Sequence, residues 1–230
     1  MSGYTSQGGR VSLTFNDNFI QGFIQAGMFT LYIEPLTNFD KNATEGHFVL
    51  YNVKDIKPGQ EKVCGVTDVH KAKDNTVSQA NEGSRAGSCF SIEYAIAADY
   101  SMYTGYMSSV TAVQNHNIAV TNDMQTNYDD EFADVVQFEI VEQYIVTTST
   151  GDQWGSDLSS STLLTNFRLW AQSGFTATHD IGSLWSKRDF DGPSVNTVGL
   201  AYVGVLCSGF QYNVLMDFSS DAPSKRVLLA

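Results

Sequence analysis

The chain has 230 residues, of which 42% are hydrophobic and 17% charged, a composition typical of a globular protein with a sizeable core. Its net charge of −12 and its lack of Lys/Arg-rich stripes argue against a nucleic-acid partner, and an anionic membrane surface is disfavoured for the same reason. No apolar run approaches the ~20 residues of a membrane-spanning segment, and residues 2–10 are too polar for a secretory signal. Either the protein stays inside the cell or its true N-terminus is missing.

The first sixty residues predict an antiparallel meander or a small barrel. Apolar residues alternate in RVSLTF, NFIQGFIQ and MFTLYIEP, and the similar stretch HFVLYNV follows them. The segments between these stretches carry turn residues such as Asn-Asp-Asn and Ala-Gly. Short strands separated by such turns are typical of an all-β unit.

Residues 70–88 differ in composition from the segments on either side. The stretch HKAKDNTVSQANEGSRAGS is polar, rich in small residues and without periodicity, which indicates a linker. We therefore expect a β-rich unit over residues 1–69 and a second unit over residues 89–230.

The second unit is predicted to alternate strands and helices. Strands are expected at SIEYAIAADY, whose apolar centre is typical of a sheet covered on both faces, at VVQFEIVEQYIV and at TVGLAYVGVLC. Three helices are expected. The first would carry Met102, Tyr106, Val110 and Val113 on one face, the second is SSSTLLTNFRLWAQ, and the third contains Ile181, Leu184 and Trp185. The predicted fold class is α+β, a β-rich segment followed by a layered α/β domain with a mixed sheet.

No complete catalytic constellation occurs in the sequence. The four histidines never form His-x-x-x-His, and Cys-x-x-Cys, Gly-x-Ser-x-Gly and a phosphate-binding glycine loop do not occur. Three stretches remain as candidates: EKVCGVTDV, HDIGSLWSKRDFDGPSVNTVGLAYVGVLC and the C-terminal SKRVLLA.

The first stretch presents Cys64 next to Gly65. A cysteine thiolate there suits a metal ligand, because the glycine lets the backbone approach closely. The alternative is a structural role, and for Cys64, Cys89 and Cys207 three buried, inert thiols explain the odd cysteine count equally well.

The second stretch contains a strand of small and apolar residues, Gly199, Leu200, Ala201 and Tyr202. It reads either as a plain core strand or as an edge strand whose backbone is open to an extended peptide. The third stretch reads as the first turn of a helix, with Asp221 or Ser220 as the cap and Pro223 in the opening turn.

Taken together, these stretches resemble the reprolysin-type metalloproteases, the adamalysin/ADAM branch of the metzincins, and especially their secreted bacterial relatives. SIEYAIAADYSMY, HDIGSLWSKRDFDG, VGLAYVGVLCS and RVLLA are similar to the catalytic domain of that family, in the same order. KVCGV resembles the cysteine switch that ends the family's prodomain, and RVSLTFNDNFIQGFIQAGMFTLYIEPL is similar to the β-rich segment before it.

The resemblance implies a zincin-like zinc endopeptidase that hydrolyses peptide bonds through a zinc-activated water. The His-Glu-x-x-His motif, which supplies zinc ligands and the general base, is expected directly after Ala230, so no catalytic residue is expected in this chain. The chain would then be a truncated zymogen fragment, inactive by itself, of a secreted protein whose signal peptide is not in view.

The resemblance also implies roles for individual residues. Cys64 would be the switch that blocks zinc, within an intramolecular contact between prodomain and catalytic domain. The strand expected to pair with protein or peptide substrates is Gly199, Leu200, Ala201 and Tyr202. Glu93 and Asp180 match positions that hold calcium in some members, although a solvated strand residue and a helix cap are equally good interpretations. Cys207 matches a cysteine whose disulfide partner lies downstream.

Two observations keep an alternative open. The 70–88 segment contains no Arg-x-x-Arg site at which a prodomain is released. The acidic, aromatic and Asn-rich composition also suits a non-catalytic secreted module for carbohydrate binding or calcium-dependent adhesion. That alternative gives KVCGV and the 199–202 strand no role.

Overall fold

The fold is given by a computed structural model that describes residues 2–57, 63–66, 90–203, 205 and 208–229, with the backbone alone for 63–66 and 226–229. The 70–88 segment, Cys89, Cys207, Gly204 and Ala230, on which sequence-based expectations fall, lie outside the described residues. Within these limits the chain forms two sheets and four α-helices. None of the helices in the described ranges is long and apolar enough to cross a membrane.

The first sheet is a five-stranded antiparallel meander. Its strands are β1 (Ser2–Tyr4), β2 (Arg10–Asn16), β3 (Phe19–Ala26), β4 (Phe29–Pro35) and β5 (Phe48–Asn52), paired in chain order. Two-residue connections join β2 to β3 and β3 to β4, and Gly27 adopts a positive φ of 59° in the second of them. The alternation and turn residues of the sequence therefore predicted β2 to β5 correctly, whereas β1 was not predicted.

The second sheet is mixed, as the sequence predicted. Its strands are β6 (Val63–Val66), β7 (Phe90–Ala98), β8 (Val136–Ile145), β9 (Ile181–Ser186), β10 (Thr197–Ala201) and β11 (Tyr212–Met216). They lie in the order β6-β10-β11-β9-β7-β8. The β10–β11 pair is antiparallel, and every other pair among these strands is parallel.

Four helices accompany the sheets: α1 (Tyr100–Gly105), α2 (Val110–Phe132), α3 (Ser160–Gly174) and α4 (Ala222–Leu229). Helix α3 buries Leu163 and Phe167 against one face of the second sheet, where Ala97 of β7 also points. Helix α2 buries Val113 against the other face, together with Ile96 of β7. Both faces of β7 are therefore covered, which explains its nearly unbroken apolar centre.

Two predicted helices need correction. The expected helical face from Met102 to Val113 is divided between α1 and α2, because Met107 and Ser108 adopt left-handed φ angles of 56° and 53° between them. Ser109 then caps α2 by accepting a hydrogen bond from the Ala112 amide at 3.2 Å.

The segment with Ile181, Leu184 and Trp185 is strand β9 rather than a helix. Strand β9 lies between β7 and β11, so Leu184 packs into the core on one face and Trp185 into the core on the other. A strand buried on both faces shows no alternation of polar and apolar residues, and its apolar spacing is easily taken for helical. The expected 197–207 strand is also shorter, since β10 ends at Ala201.

Helix α2 lies between the two sheets and contacts both of them. The first sheet meets α2 through polar pairs, with Ser12 Oγ donating to Asp123 Oδ1 at 3.0 Å and Asn122 donating to Thr14 Oγ1 at 2.6 Å. Arg10 forms ion pairs with Asp129 and Asp130 near the end of the same helix. One face of α2 is therefore apolar and the opposite, equally buried, face is polar.

Candidate functional site

The structure brings Cys64 and the 199–201 strand together. Strand β6 runs parallel to β10, with the Cα of Cys64 opposite Gly199, Gly65 opposite Leu200 and Val66 opposite Ala201. Tyr202 follows directly after β10. Two segments that the sequence singled out separately are thus neighbours in one sheet.

Strand β10 has a partner on each side in the described part of the sheet. Strand β11 pairs with one edge of β10, and β6 pairs with the other. An additional extended peptide can add to β10 only where β6 now lies, since a strand offers two hydrogen-bonding edges. The arrangement allows β6 and an incoming peptide to bind in alternation.

Glu93 and Asp180 are also adjacent. The amide of Glu93 donates to Asp180 Oδ2 at 2.9 Å, and the amide of Asp180 donates to the Glu93 carbonyl at 2.8 Å. Thr178 Oγ1 donates to Glu93 Oε2 at 3.3 Å. One carboxylate oxygen of Asp180 therefore accepts a hydrogen bond that joins the start of β9 to β7. Two carboxylates fall short of the 6–8 oxygen ligands that calcium takes.

The described residues do not fit a zinc site. No group of three or more His, Cys, Asp and Glu side chains in the described ranges is arranged to hold a metal ion. His179 contacts the Ala177 carbonyl through Nδ1 at 3.0 Å and the Tyr212 hydroxyl through Nε2 at 3.2 Å. His47 contacts the Thr44 carbonyl at 3.1 Å. These ring nitrogens are engaged in local hydrogen bonds.

A buried ionic network, absent from the sequence-based expectations, holds α4. Asp217 follows β11, and its carboxylate pairs with Lys225 Nζ of α4 at 2.9 Å and with Lys187 Nζ at 2.6 Å. The Tyr106 hydroxyl donates to Asp217 Oδ2 at 2.9 Å and contacts His116 Nδ1 at 2.8 Å. Lys225 is only 2% exposed, so its charge is carried inside the protein.

The hydrogen bonds of Tyr106 assign the proton of His116. Lys225 Nζ donates to the Tyr106 oxygen at 3.1 Å, while the hydroxyl hydrogen points to Asp217. A hydroxyl has one hydrogen to donate, so its remaining contact with His116 requires Nδ1–H as the donor. Burial lowers the pKa of His116 to about 3, which makes a neutral ring with Nδ1–H the form expected at neutral pH.

The charges of the network shift the pKa values of its members in opposite directions. Burial alone would raise the pKa of Asp217, but the ammonium groups of Lys225 and Lys187 outweigh it and hold that pKa well below its usual range. Burial alone would lower the pKa of Lys225, but Asp217 outweighs it and raises that pKa. The pair is therefore ionised throughout the physiological range.

The first sheet supplies a second anchor for α4. Glu34 of β4 is fully buried, and its Oε1 accepts hydrogen bonds from the Ala222 amide at 2.8 Å and from the Tyr51 hydroxyl. Asp221 Oδ1 accepts from the Ser224 amide at 3.0 Å, so Asp221 is the cap, one of the two residues that the sequence indicated. Burial raises the pKa of Glu34.

The sequence offered little signal for this network. Lys225 stands in a polar Ser-Lys-Arg run, and Asp217 lies in an unpredicted strand-to-loop segment. Lysine and aspartate are seldom fully buried, so their default assignment is to the surface. The pairing of Asp217 with Lys225 becomes evident only in the folded structure, where β11, α1, α2 and α4 come together.

The fold defines a class of protein in which a mixed sheet has helices on both faces. At one edge of this sheet lies β6, and β10 is the strand next to it. A family model, Reprolysin_5 of "Metallo-peptidase family M12", matches residues 91–225. This match covers more than half of the chain, and the chain belongs to that family. The resemblance to reprolysin-type metalloproteases that the sequence motifs indicated is confirmed.

One curated relative and one solved structure extend the comparison. The chain is 28% identical over 188 residues to a "Zinc metalloproteinase-disintegrin-like" protein of Cerberus rynchops, a match that covers 77% of this chain and 29% of the relative. The chain thus spans under a third of that relative's length. A solved structure described as "Structure of a chaperone-substrate complex" matches with a TM-score of 0.45 at 10% identity, over 63% of this chain and 23% of the other.

Proposed function

We propose that this chain is part of the latent form, or zymogen, of a secreted zinc metalloendopeptidase. The mature enzyme would hydrolyse peptide bonds in protein substrates. Membership of metallo-peptidase family M12 and the likeness to a zinc metalloproteinase-disintegrin-like protein support this proposal. The part proposed here is the β-rich prodomain segment, the linker and the N-terminal portion of the catalytic domain. In the parent protein a bound zinc ion would supply a Lewis acid and would activate water.

One observation carries the proposal of latency: β6, which contains Cys64, lies along β10. In the proposed mechanism, substrate backbone pairs with Gly199, Leu200, Ala201 and Tyr202, and it needs the edge that β6 occupies. Substrate entry therefore requires β6 to leave. A cysteine thiolate is a strong zinc ligand, and Cys64 is proposed to block the metal while β6 stays in place.

The zinc ligands and the general base are proposed to lie after Ala230. The 230 residues contain no His-Glu-x-x-His, and the described ranges contain no metal-binding group. Helix α4 is proposed as the beginning of the helix that carries them. Glu93 and Asp180 are proposed only as a partial calcium site, whose other oxygen ligands would come from water or from residues elsewhere.

The first experiment determines where the zinc ligands lie. The coding DNA beyond codon 230 is read, and His-Glu-x-x-His with a third histidine is the expected result. A stop codon would refute the placement and favour the non-catalytic binding module. The 230-residue chain itself should neither bind zinc at micromolar affinity nor cleave casein, and either activity would contradict the proposal.

A second experiment tests Cys64 in the protein extended by its own downstream sequence. Cys64→Ser should raise the peptidase activity of the uncleaved form, while Cys89→Ser, the matched control, should leave it latent. Equal activity of the two variants would show that Cys64 is not the switch.

A further inference from the structure

The two faces of the first sheet differ sharply in polarity. Residues in an antiparallel sheet that lie opposite each other share a face, so the pairing register assigns every side chain. The face toward α2 and α4 carries buried polar side chains, of which Arg10, Ser12 and Glu34 are examples. The same face also carries the buried aromatic side chains Phe23 and Tyr32, which pack with Ala222 of α4, so the packed face is mixed in polarity.

The other face of the sheet is apolar across four strands. Val11 lies opposite Ile24, which lies opposite Leu31, and Ile33 lies opposite Leu50. Phe15 lies opposite Ile20 in the same manner. We call this surface the outer face, and its larger apolar side chains include Val11, Leu13, Phe15, Ile20, Ile24, Phe29, Leu31, Ile33 and Leu50.

In the part of the chain that the structure describes, three residues of the outer face are exposed and the others are half-buried. Phe15 is 57% exposed, Phe29 54% and Leu50 63%. The helices α2 and α4 contact this sheet through Ser12, Thr14 and Glu34, which point to the opposite side. The segment 70–88 is also unsuited by its sequence to cover an apolar surface, because Val77 is its only large aliphatic residue.

The size of the outer face fits a paired interface. Four strands of about seven residues, at about 3.4 Å per residue and about 4.8 Å between strands, span roughly 450 Å² of sheet plane. Two such faces enclose about 900 Å² before the relief of the side chains is added, and a specific interface needs about 1,000 Å². One such face lies within the range of roughly 300–600 Å² that the largest apolar patch of a monomer covers, and patches of this kind are often functional.

The shape of the first sheet favours a second copy as the partner. A twisted, apolar sheet is complementary to another sheet of the same kind, and two sheets pack about 10 Å apart to form a sandwich. Such packing is isologous and closes as a dimer. A net charge of −12 opposes adsorption to anionic lipid.

We propose that this chain forms a symmetric dimer in which the outer faces of two first sheets pack against each other as a β-sandwich. The like charges of the two copies repel while the apolar contact attracts. Salt screens the repulsion, so the dimer should become tighter as ionic strength rises, opposite to an interface built on ion pairs.

Sedimentation analysis of the full 230-residue chain over a concentration series tests the dimer. The mass should rise from 25.2 kDa toward twice that value as concentration increases. Leu50→Lys places a charge in the middle of the outer face and should weaken association at least about tenfold. The matched control is Leu169→Lys, since Leu169 is 56% exposed on α3, and this variant should associate like the parent.

Several outcomes would overturn the dimer. These are a monomer up to about 100 µM, equal association of the two lysine variants, and polydisperse aggregates in place of a closed dimer. Binding of a monomeric chain to neutral phosphatidylcholine vesicles, lost in Leu50→Lys alone, would assign the outer face to a lipid surface instead. Circular dichroism of each variant shows whether the fold is retained.

Discussion

Replacing Asp217 by asparagine removes the carboxylate that pairs with both Lys225 and Lys187, while the shape of the side chain is kept. Lys225 Nζ then faces an amide at the place where a carboxylate oxygen lay 2.9 Å away. Lys187 retains access to water, because about a third of its side chain is exposed. The buried charge of Lys225 is therefore the main consequence.

Breaking a buried ion pair by removing one partner costs about 3–5 kcal/mol, because the remaining charge is left without compensation. For a chain of this length each kcal/mol lowers Tm by about 2–4 °C, so Asp217→Asn should lower Tm by about 10 °C. The double variant Asp217→Asn/Lys225→Met should recover part of this loss, since it removes the stranded charge.

The loss should also depend on pH. The folded pKa of Asp217 lies below its unfolded value, so its ionic contribution is present above about pH 3.9 and is lost as the pH falls through the folded pKa. The difference in stability between parent and variant should therefore be constant near neutrality and shrink in acid.

Thermal and urea unfolding followed by circular dichroism measure these effects. Asp189→Asn is the matched control, because Asp189 is exposed and the same charge is removed, and it should change stability by less than about 0.5 kcal/mol. A loss in Asp217→Asn no larger than that of the control, or no recovery in the double variant, would refute the idea that the pair stabilises α4.

Three further predictions concern other parts of the fold. The folded pKa of His116 is about 3, so the unfolded chain binds more protons between pH 3 and about 6.5. On acidification through this window, stability should fall by up to about 1.4 kcal/mol per pH unit, and it should fall less in His116→Gln; equal slopes in urea titrations at several pH values would contradict this. Gly22 has a φ of 150°, and a Cβ there would lie 2.0 Å from the Ser12 carbonyl oxygen. Gly22→Ala should therefore lower the free energy of unfolding by more than about 2 kcal/mol, whereas Gly3→Ala, whose Cβ meets open space, should lower it little; similar unfolding midpoints of the two variants would contradict the strain. Trp154 is fully buried against Phe167 and Trp170, so Trp154→Ala should cost about 3–5 kcal/mol and Leu169→Ala under about 1; equal losses in thermal melts would contradict this packing.

The sequence predicted β2 to β5 because the turn residues that bound them lie next to them in the chain. Asp17 and Asn18 join β2 to β3, and Gly27 with Met28 joins β3 to β4, so each strand is bounded by turn residues. The same alternation, however, did not predict which face of this sheet would be packed. Glutamate is seldom fully buried, yet Glu34 is buried here because the Ala222 amide of α4 and the Tyr51 hydroxyl offer it hydrogen-bond donors.

The sequence could not predict β9 or β11 by the same reasoning. Strand β9 has buried residues on both faces, and β11, Tyr212–Met216, is a short apolar run that matches several kinds of element equally well. The pairing of Cys64 with Gly199 is likewise a property of the whole sheet. No local pattern in either segment specifies the other, since strand pairing over long separations depends on the complete topology.

The two anchors of α4 connect the first sheet to the second. Glu34 of the first sheet accepts from the amide of Ala222, and Asp217 of the second pairs with Lys225 one turn later. If the first sheet were removed, the Ala222 amide would lose its acceptor, and Lys225 would lose the nearby negative charge of Glu34 while keeping Asp217. The position of α4 would then depend on the second sheet alone. Because β6 pairs with β10 in that same second sheet, displacement of the N-terminal segment would free the β10 edge and release the start of α4 in one step.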